Sequence, residues 1–125
     1  MYLLFDNSEN TKIIWQAQIG RTRKEWVFKN VTLLASFDKL LAKLKITPYQ
    51  ISGLAVVVGR GKFTATRIAV TMANILSFTL QIPVLGVLTP QEDWLGQLSI
   101  QPVGKYISAQ YSAEPSIGKQ KDKLV

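Results

Sequence analysis

Residues 51–88 read ISGLAVVVGRGKFTATRIAVTMANILSFTLQIPVLGVL, and the sense made of them decides the fold. The run ISGLAVVV, residues 51–58, is nearly continuous in apolar and β-branched side chains, the composition of a strand covered on both faces. Gly59-Arg60-Gly61 breaks it. From Phe63 the spacing becomes helical and stays so to Leu80; Pro83 stops the helix, and a second short strand follows over Val84 to Leu88.

The helix carries too much apolar surface for one neighbour. Ile68, Met72, Ile75 and Leu76 share a face, yet Val70, Ala73, Phe78 and Leu80 load the others, and no charge falls between Ile68 and Gln91. Such a helix is buried on several sides, more than one sheet in a small domain supplies, so a partner surface is expected; a plain core helix is the competing reading. The stretch is long enough to cross a bilayer. A membrane span is nevertheless rejected, because Thr71, Asn74, Ser77, Thr79 and Gln81 interrupt it and Pro83 divides it into helix and strand.

Upstream, Tyr2 to Asp6 forms a short apolar strand, and Asn7-Ser8-Glu9-Asn10 is a cluster of turn formers. Residues 12–19 alternate as a strand, Gly20-Arg21 turns the chain, and Trp26-Val27-Phe28 makes a third strand, so the chain opens with an antiparallel meander. From Val31 to Leu44 the period becomes three and four: Leu33, Leu34, Phe37, Leu40, Leu41 and Leu44 recur, with Asp38, Lys39 and Lys43 between them, an amphipathic helix closed off by Pro48. Downstream the pattern weakens to a helical turn around Trp94, no clear period over 97–104, and a short extended piece over 105–111. The end, from Glu114, reads as an anchor closing a domain of residues 1–118, and residues 119–125 as a basic flexible tail.

The 125 residues fit one domain, and an apolar fraction of 47% is ample for a core. With no cysteine there is neither a disulfide framework nor a thiolate metal site, which fits a reducing cytoplasm. No basic segment precedes a long apolar run at the N-terminus, so no signal peptide is expected. The formal charge of +7 favours polyanions in general, but the cations lie scattered through the sequence, among them Arg21, Arg23, Lys24, Lys39, Lys43, Lys45, Arg60 and Lys62, with acids interspersed and no obvious stripe.

Histidine is absent altogether, which removes the serine and cysteine triads, histidine metal ligation and the usual neutral-pH acid and base. The eight carboxylates show no metal-site or paired-acid spacing. One segment has the look of an anion site: Gly59-Arg60-Gly61-Lys62-Phe63-Thr64, with Arg67 one turn on, joins a buried strand to a helix start. As a phosphate-binding loop of the Walker type it fails, with Val56 where the first glycine is required and Phe63 where the magnesium-binding hydroxyl belongs. A dinucleotide fingerprint fails too, because Thr64 takes the last glycine position.

Residues 57–87, VVGRGKFTATRIAVTMANILSFTLQIPVLGV, resemble the signature of the TsaB family: a strand, then G-P-G-S-F-T-G-L-R-I-G, a long small-residue helix, and I-P-x-x-G-V. Gly59, Gly61, Phe63, Thr64, Arg67, Ile68, Ile82, Pro83, Gly86 and Val87 match at the right spacing. Leu3 to Ser8 is similar to the family's opening strand and D-T-S turn, and Tyr111 to Ile117 to its closing Y-x-x-E-P-x-I. The resemblance covers most of residues 2–88 and returns at 111–117, as if the second lobe of the full-length fold had been lost. It implies an α/β architecture: a single actin-like, ribonuclease H-like lobe spanning 1–118, with a mixed five-stranded sheet, an N-terminal antiparallel meander and two main helices.

The same resemblance implies a function. TsaB-like proteins support threonylcarbamoyl transfer to tRNA adenosine without catalysing it, by pairing with a TsaD-like protein through the two helices of this lobe. By that analogy Leu33, Phe37, Leu40 and Leu44, with Ile68, Met72, Ile75 and Thr79, are expected in the partner contact or the adjoining core. A TsaE-like ATPase in a larger complex, a homodimer when the partner is missing, only indirect contact with tRNA, and ATP at a partner interface belong to the same expectation; no other cofactor, no metal and no membrane do. The rival reading is a module that binds a nucleotide or tRNA phosphate through Gly59 to Thr64. The chain departs from the family pattern where Arg60 replaces the loop proline, Lys62 the serine, Ala65 and Ala69 two glycines, and Thr66 the leucine. Added Cβ atoms at 65 and 69 are expected to push back any helix that packs closely there.

Overall fold

A computed structural model describes residues 1–9, 11–58, 63–90 and 93–108, and of Phe63 the backbone alone. Strands β1 (Tyr2–Asp6), β2 (Lys12–Ile19) and β3 (Thr22–Lys29) lead to helix α1 (Leu33–Leu44). Strand β4 (Gly53–Val57), helix α2 (Phe63–Leu80), strand β5 (Val84–Val87) and helix α3 (Trp94–Ser99) follow. The five strands form one sheet in the order β3-β2-β1-β4-β5. β1 runs antiparallel to β2, and β2 to β3, whereas β4 is parallel to both β1 and β5. This is the mixed five-stranded α/β sheet expected of an actin-like lobe, with the parallel strands joined through helices because only a crossover can return the chain to the same end.

Side-chain alternation assigns the two faces. Leu3 and Phe5 of β1, Ile13, Trp15 and Ala17 of β2, Leu54 and Val56 of β4, and Val84 of β5 form the larger core with α1 and α2. Leu4, Ala55, Val57 and Val87 point the other way and are covered by Trp94 and Leu98 of α3. β4 is buried along its whole length, which is why its sequence shows no alternation. Gly53 permits this double cover, since a Cβ there would stand 2.9 Å from Tyr2 Cδ1 and 3.1 Å from Leu98 Cγ.

Trp15 anchors α1 to the sheet. Its ring lies between Phe5 and Phe37, with centroids 4.8 and 5.5 Å away. Its Nε1 donates to the buried Ser36 Oγ at 2.8 Å, and that hydroxyl in turn donates to the Leu33 carbonyl at 2.7 Å. Thr32 caps the start of α1 by accepting from the Ala35 amide at 3.1 Å, and Lys45 ends it in the left-handed conformation at φ 55°. Lys45, rather than Pro48, therefore closes the helix, and Pro48 opens a short 3₁₀ turn over Pro48–Gln50.

Two further boundaries differ from expectation. β3 extends from Thr22 to Lys29, well beyond Trp26-Val27-Phe28, because all eight positions pair with β2 although Phe28 alone is buried. Backbone pairing holds a strand whose side chains are too polar to announce it. α3 runs on to Ser99 behind an Asp93 cap that accepts from the Gly96 amide at 3.1 Å; with two buried side chains, Trp94 and Leu98, it is too short to show a period.

Candidate docking groove between two helices

α2 lies over β4 and β5 on one face of the sheet, and small residues seat it there. Thr66, Ala69, Val70, Ala73 and Ser77 are buried beneath it. Ser77 Oγ donates to the Ile82 carbonyl at 2.5 Å and so fixes the turn into β5. At about 100° per residue these positions occupy one side of the helix. The larger apolar residues of the opposite side have no sheet to meet: Ile68 is 50% exposed, Ile75 58% and Phe78 66%. Ile68, Met72, Ile75 and Thr79 form an outward stripe at spacings of four, three and four, the repeat of a helix that packs on another helix.

α1 completes the site. Leu33, Phe37 and Leu40 are buried in the larger core and Leu44 packs against it, so these four belong to the adjoining core. The α1 side chain turned outward is Leu34, 62% exposed, which stands a quarter turn round from that face and is not among the positions expected at the contact. Its signal in the sequence is one leucine more than a single apolar face accommodates. Between the helices runs an apolar groove of about 740 Å³, lined by Thr32, Leu33 and Leu34 of the α1 end and by Thr64, Arg67, Ile68, Thr71, Met72, Ile75 and Leu76 of α2. Of the α2 positions expected at a contact, Ile68, Met72 and Ile75 line it, and Thr79 is exposed one turn beyond.

The loop residues Gly59, Arg60, Gly61 and Lys62 lie outside the described residues, as does the side chain of Phe63; Thr64 and Arg67 line the groove. The turn after β1 is tied to the start of α2, where Asn7 Nδ2 donates to the Ala65 carbonyl at 3.3 Å, and Asp6 accepts from the Ser8 amide at 2.9 Å. Two of the departures from the family pattern, at 66 and 69, face the sheet, whereas Ala65 is half-buried at the start of α2. Ala69 is buried against the sheet, 1% exposed, and Thr66 is buried with it, so neither stands on the outward stripe, and the Cβ of Ala69 fills the interior of the lobe.

No described helix is long and apolar enough to cross a membrane, and the described residues hold no cluster of three or more acids that could bind a metal ion. The groove offers apolar contact area edged by threonine hydroxyls and one guanidinium, an arrangement suited to binding a helix.

The chain is similar to several known proteins. The family described as "TsaD: tRNA N6-adenosine threonylcarbamoyltransferase" matches residues 29–110. The tRNA threonylcarbamoyladenosine biosynthesis protein TsaB of Buchnera aphidicola subsp. Schizaphis graminum is 37% identical over 59 residues, 47% of this chain and 28% of that protein. The solved structure of YeaZ from Pseudomonas aeruginosa superposes with a TM-score of 0.61 and 26% identity, over 69% of this chain and 43% of that one. A second structure, of an uncharacterized protein with similarity to peptidase YEAZ from Pseudomonas aeruginosa, gives 0.61 and 25%, over 69% and 42%. The chain thus spans less than half the length of the relatives it matches.

Proposed function

Because the chain belongs to the family described as tRNA N6-adenosine threonylcarbamoyltransferase and is similar to a TsaB protein, we propose that it is a partner subunit in threonylcarbamoyladenosine biosynthesis on tRNA, docking a TsaD-like protein through the α1–α2 groove. The observation that carries this reading is the outward apolar stripe of α2, with Ile68 and Ile75 half exposed and lining, with Leu34, the apolar groove between the helices. Burying such a patch stabilises association by roughly 25 cal/mol per Å² of apolar surface before the entropy of ordering is subtracted. The chain contributes shape and contact, and the partner performs the chemistry, in keeping with a sequence that has no histidine or cysteine.

The test is direct. Mixed with a TsaD-like protein, the chain should elute as a stoichiometric complex, and the threonylcarbamoyl transfer activity of that partner should rise; the chain by itself should transfer nothing. Separate elution at micromolar concentrations of both proteins would remove the docking role, and transfer by the isolated chain would remove the non-catalytic one.

A further inference from the structure

We infer that the opposite flank of α1, together with edge strand β3, is a binding surface for the phosphate backbone of a structured RNA. Cations that are scattered in sequence are gathered here by the fold. Among the described residues β3 is an edge strand of the sheet; it carries Lys29, and on its opposite, α1-side face Lys24, with Arg21 in the turn before it. α1 presents Lys39 and Lys43 about half a turn away from Leu34. Lys29, Lys39 and Lys43 line one groove of about 520 Å³, floored by Val27, Phe28, Val31 and Ala42. Among the described residues these three lysines form no ion pair; Lys12 pairs with Glu9 instead. Glu25, the acid of β3, shares the sheet face of Lys29 but stands four residues away along the strand, about 13 Å, and accepts from Gln16 Nε2 at 3.2 Å.

Phosphate fits this surface better than an acidic protein does. The lysines are exposed point charges on flexible stems, the form in which a backbone is gripped without base reading, and at about 3.3 Å per residue Arg21 to Lys29 covers some 26 Å, the scale of several nucleotides. The apolar floor is small beside the charge around it. The inference rests on the proposed role in tRNA modification, since it makes the substrate RNA the ligand. It concerns the other flank of α1 from the docking groove, so the partner and the RNA can be held at once.

The experiment measures binding of the full chain to a tRNA transcript by fluorescence anisotropy across a salt series, for the wild type, for Lys29→Gln/Lys39→Gln/Lys43→Gln, and for the charge-keeping Lys29→Arg/Lys39→Arg/Lys43→Arg. Three lost phosphate contacts should flatten the slope of log affinity against log salt by about 2 to 3 and weaken binding about a hundredfold near 0.1 M salt, while the arginine variant binds as the wild type does. Unchanged affinity of the glutamine variant, or no tRNA binding by the wild type, overturns the inference. If the lysines serve only to keep the sheet edge from pairing, the glutamine variant retains whatever RNA affinity the wild type has and self-associates. A polyglutamate of equal charge that competes as well as tRNA would assign the surface to an acidic protein and overturn the RNA reading. Partner binding measured without RNA tests the docking groove separately, and the glutamine variant should leave it intact.

Discussion

Ile75→Asp is the sharpest probe of the docking groove, because the residue is 58% exposed in the isolated chain and central to the α2 stripe. Full burial of an isoleucine is worth about 1.5–3 kcal/mol, so covering the exposed part on docking contributes roughly 1–2 kcal/mol. Aspartate forfeits that and places a carboxylate in the contact, where an unpaired charge costs several kcal/mol. Arg67 cannot neutralise it, being eight residues away along the helix, about 12 Å. The loss should exceed about 4 kcal/mol, or roughly a thousandfold in Kd at about 1.4 kcal/mol per tenfold. The isolated chain should lose only a few tenths of a kcal/mol, since isoleucine and aspartate differ little in helix propensity. Isothermal calorimetry against a TsaD-like protein, with a thermal melt of the variant alone, separates the two effects. Binding within tenfold of wild type would refute the groove as the contact, and a melt lowered by more than a few degrees would show that Ile75 is core after all.

Three other outcomes follow from the fold. Ser36→Ala leaves the buried Trp15 Nε1 without an acceptor, a cost of about 1–3 kcal/mol that should lower Tm by about 5–10 °C, whereas a change below 2 °C would mean that the indole finds another partner. Asn74 holds the Ile107 backbone with a reciprocal pair, donating to its carbonyl at 2.9 Å and accepting from its amide at 3.0 Å. Asn74→Ala should therefore release that segment and raise tryptic cleavage after Lys105 severalfold, and an unchanged digestion rate would contradict this anchoring. Gly53→Val forces Tyr2 and Leu98 apart and should lower the urea midpoint by an amount equivalent to about 1–3 kcal/mol; an unshifted midpoint would show that α3 moves away without cost.

What the sequence made legible was governed by one-dimensional signals. The buried strand β4 and helix α2 are visible because apolar continuity and helical period are local properties, and the helix occupies Phe63–Leu80 as read. β3 is only partly legible because its hydrogen bonds, not its side chains, make it a strand. α1 was legible as a helix, but its outward residue was not: six apolar positions compete for one face, and only the packing of Phe37 on Trp15 shows which way the helix is turned. The basic flank was invisible for a related reason. Lys29 is separated from Lys39 and Lys43 by a turn and half a helix, and the three become neighbours only when α1 folds back over the meander.

The glycine-to-alanine change at residue 69 tests whether α2 has an inner and an outer side. Close backbone approach between two helices needs small residues on the contacting faces. Ala69 lies with Thr66, Ala73 and Ser77 against the strands, so a small-residue seam exists, and it belongs to the fit of α2 on its own sheet. The outward stripe of Ile68, Met72 and Ile75 is bulky and calls for the other mode of association, side chains of one helix set between those of the next. Ala69→Leu and Ile68→Ala should therefore behave oppositely. The first overpacks the interior and lowers stability by about 1–3 kcal/mol with the outward stripe unaltered. The second leaves the melt within a few degrees of wild type and weakens partner binding about tenfold, the share of a half-exposed isoleucine. Should Ala69→Leu fold normally and instead abolish the complex, α2 would be turned the other way round, and the groove would not be the docking site.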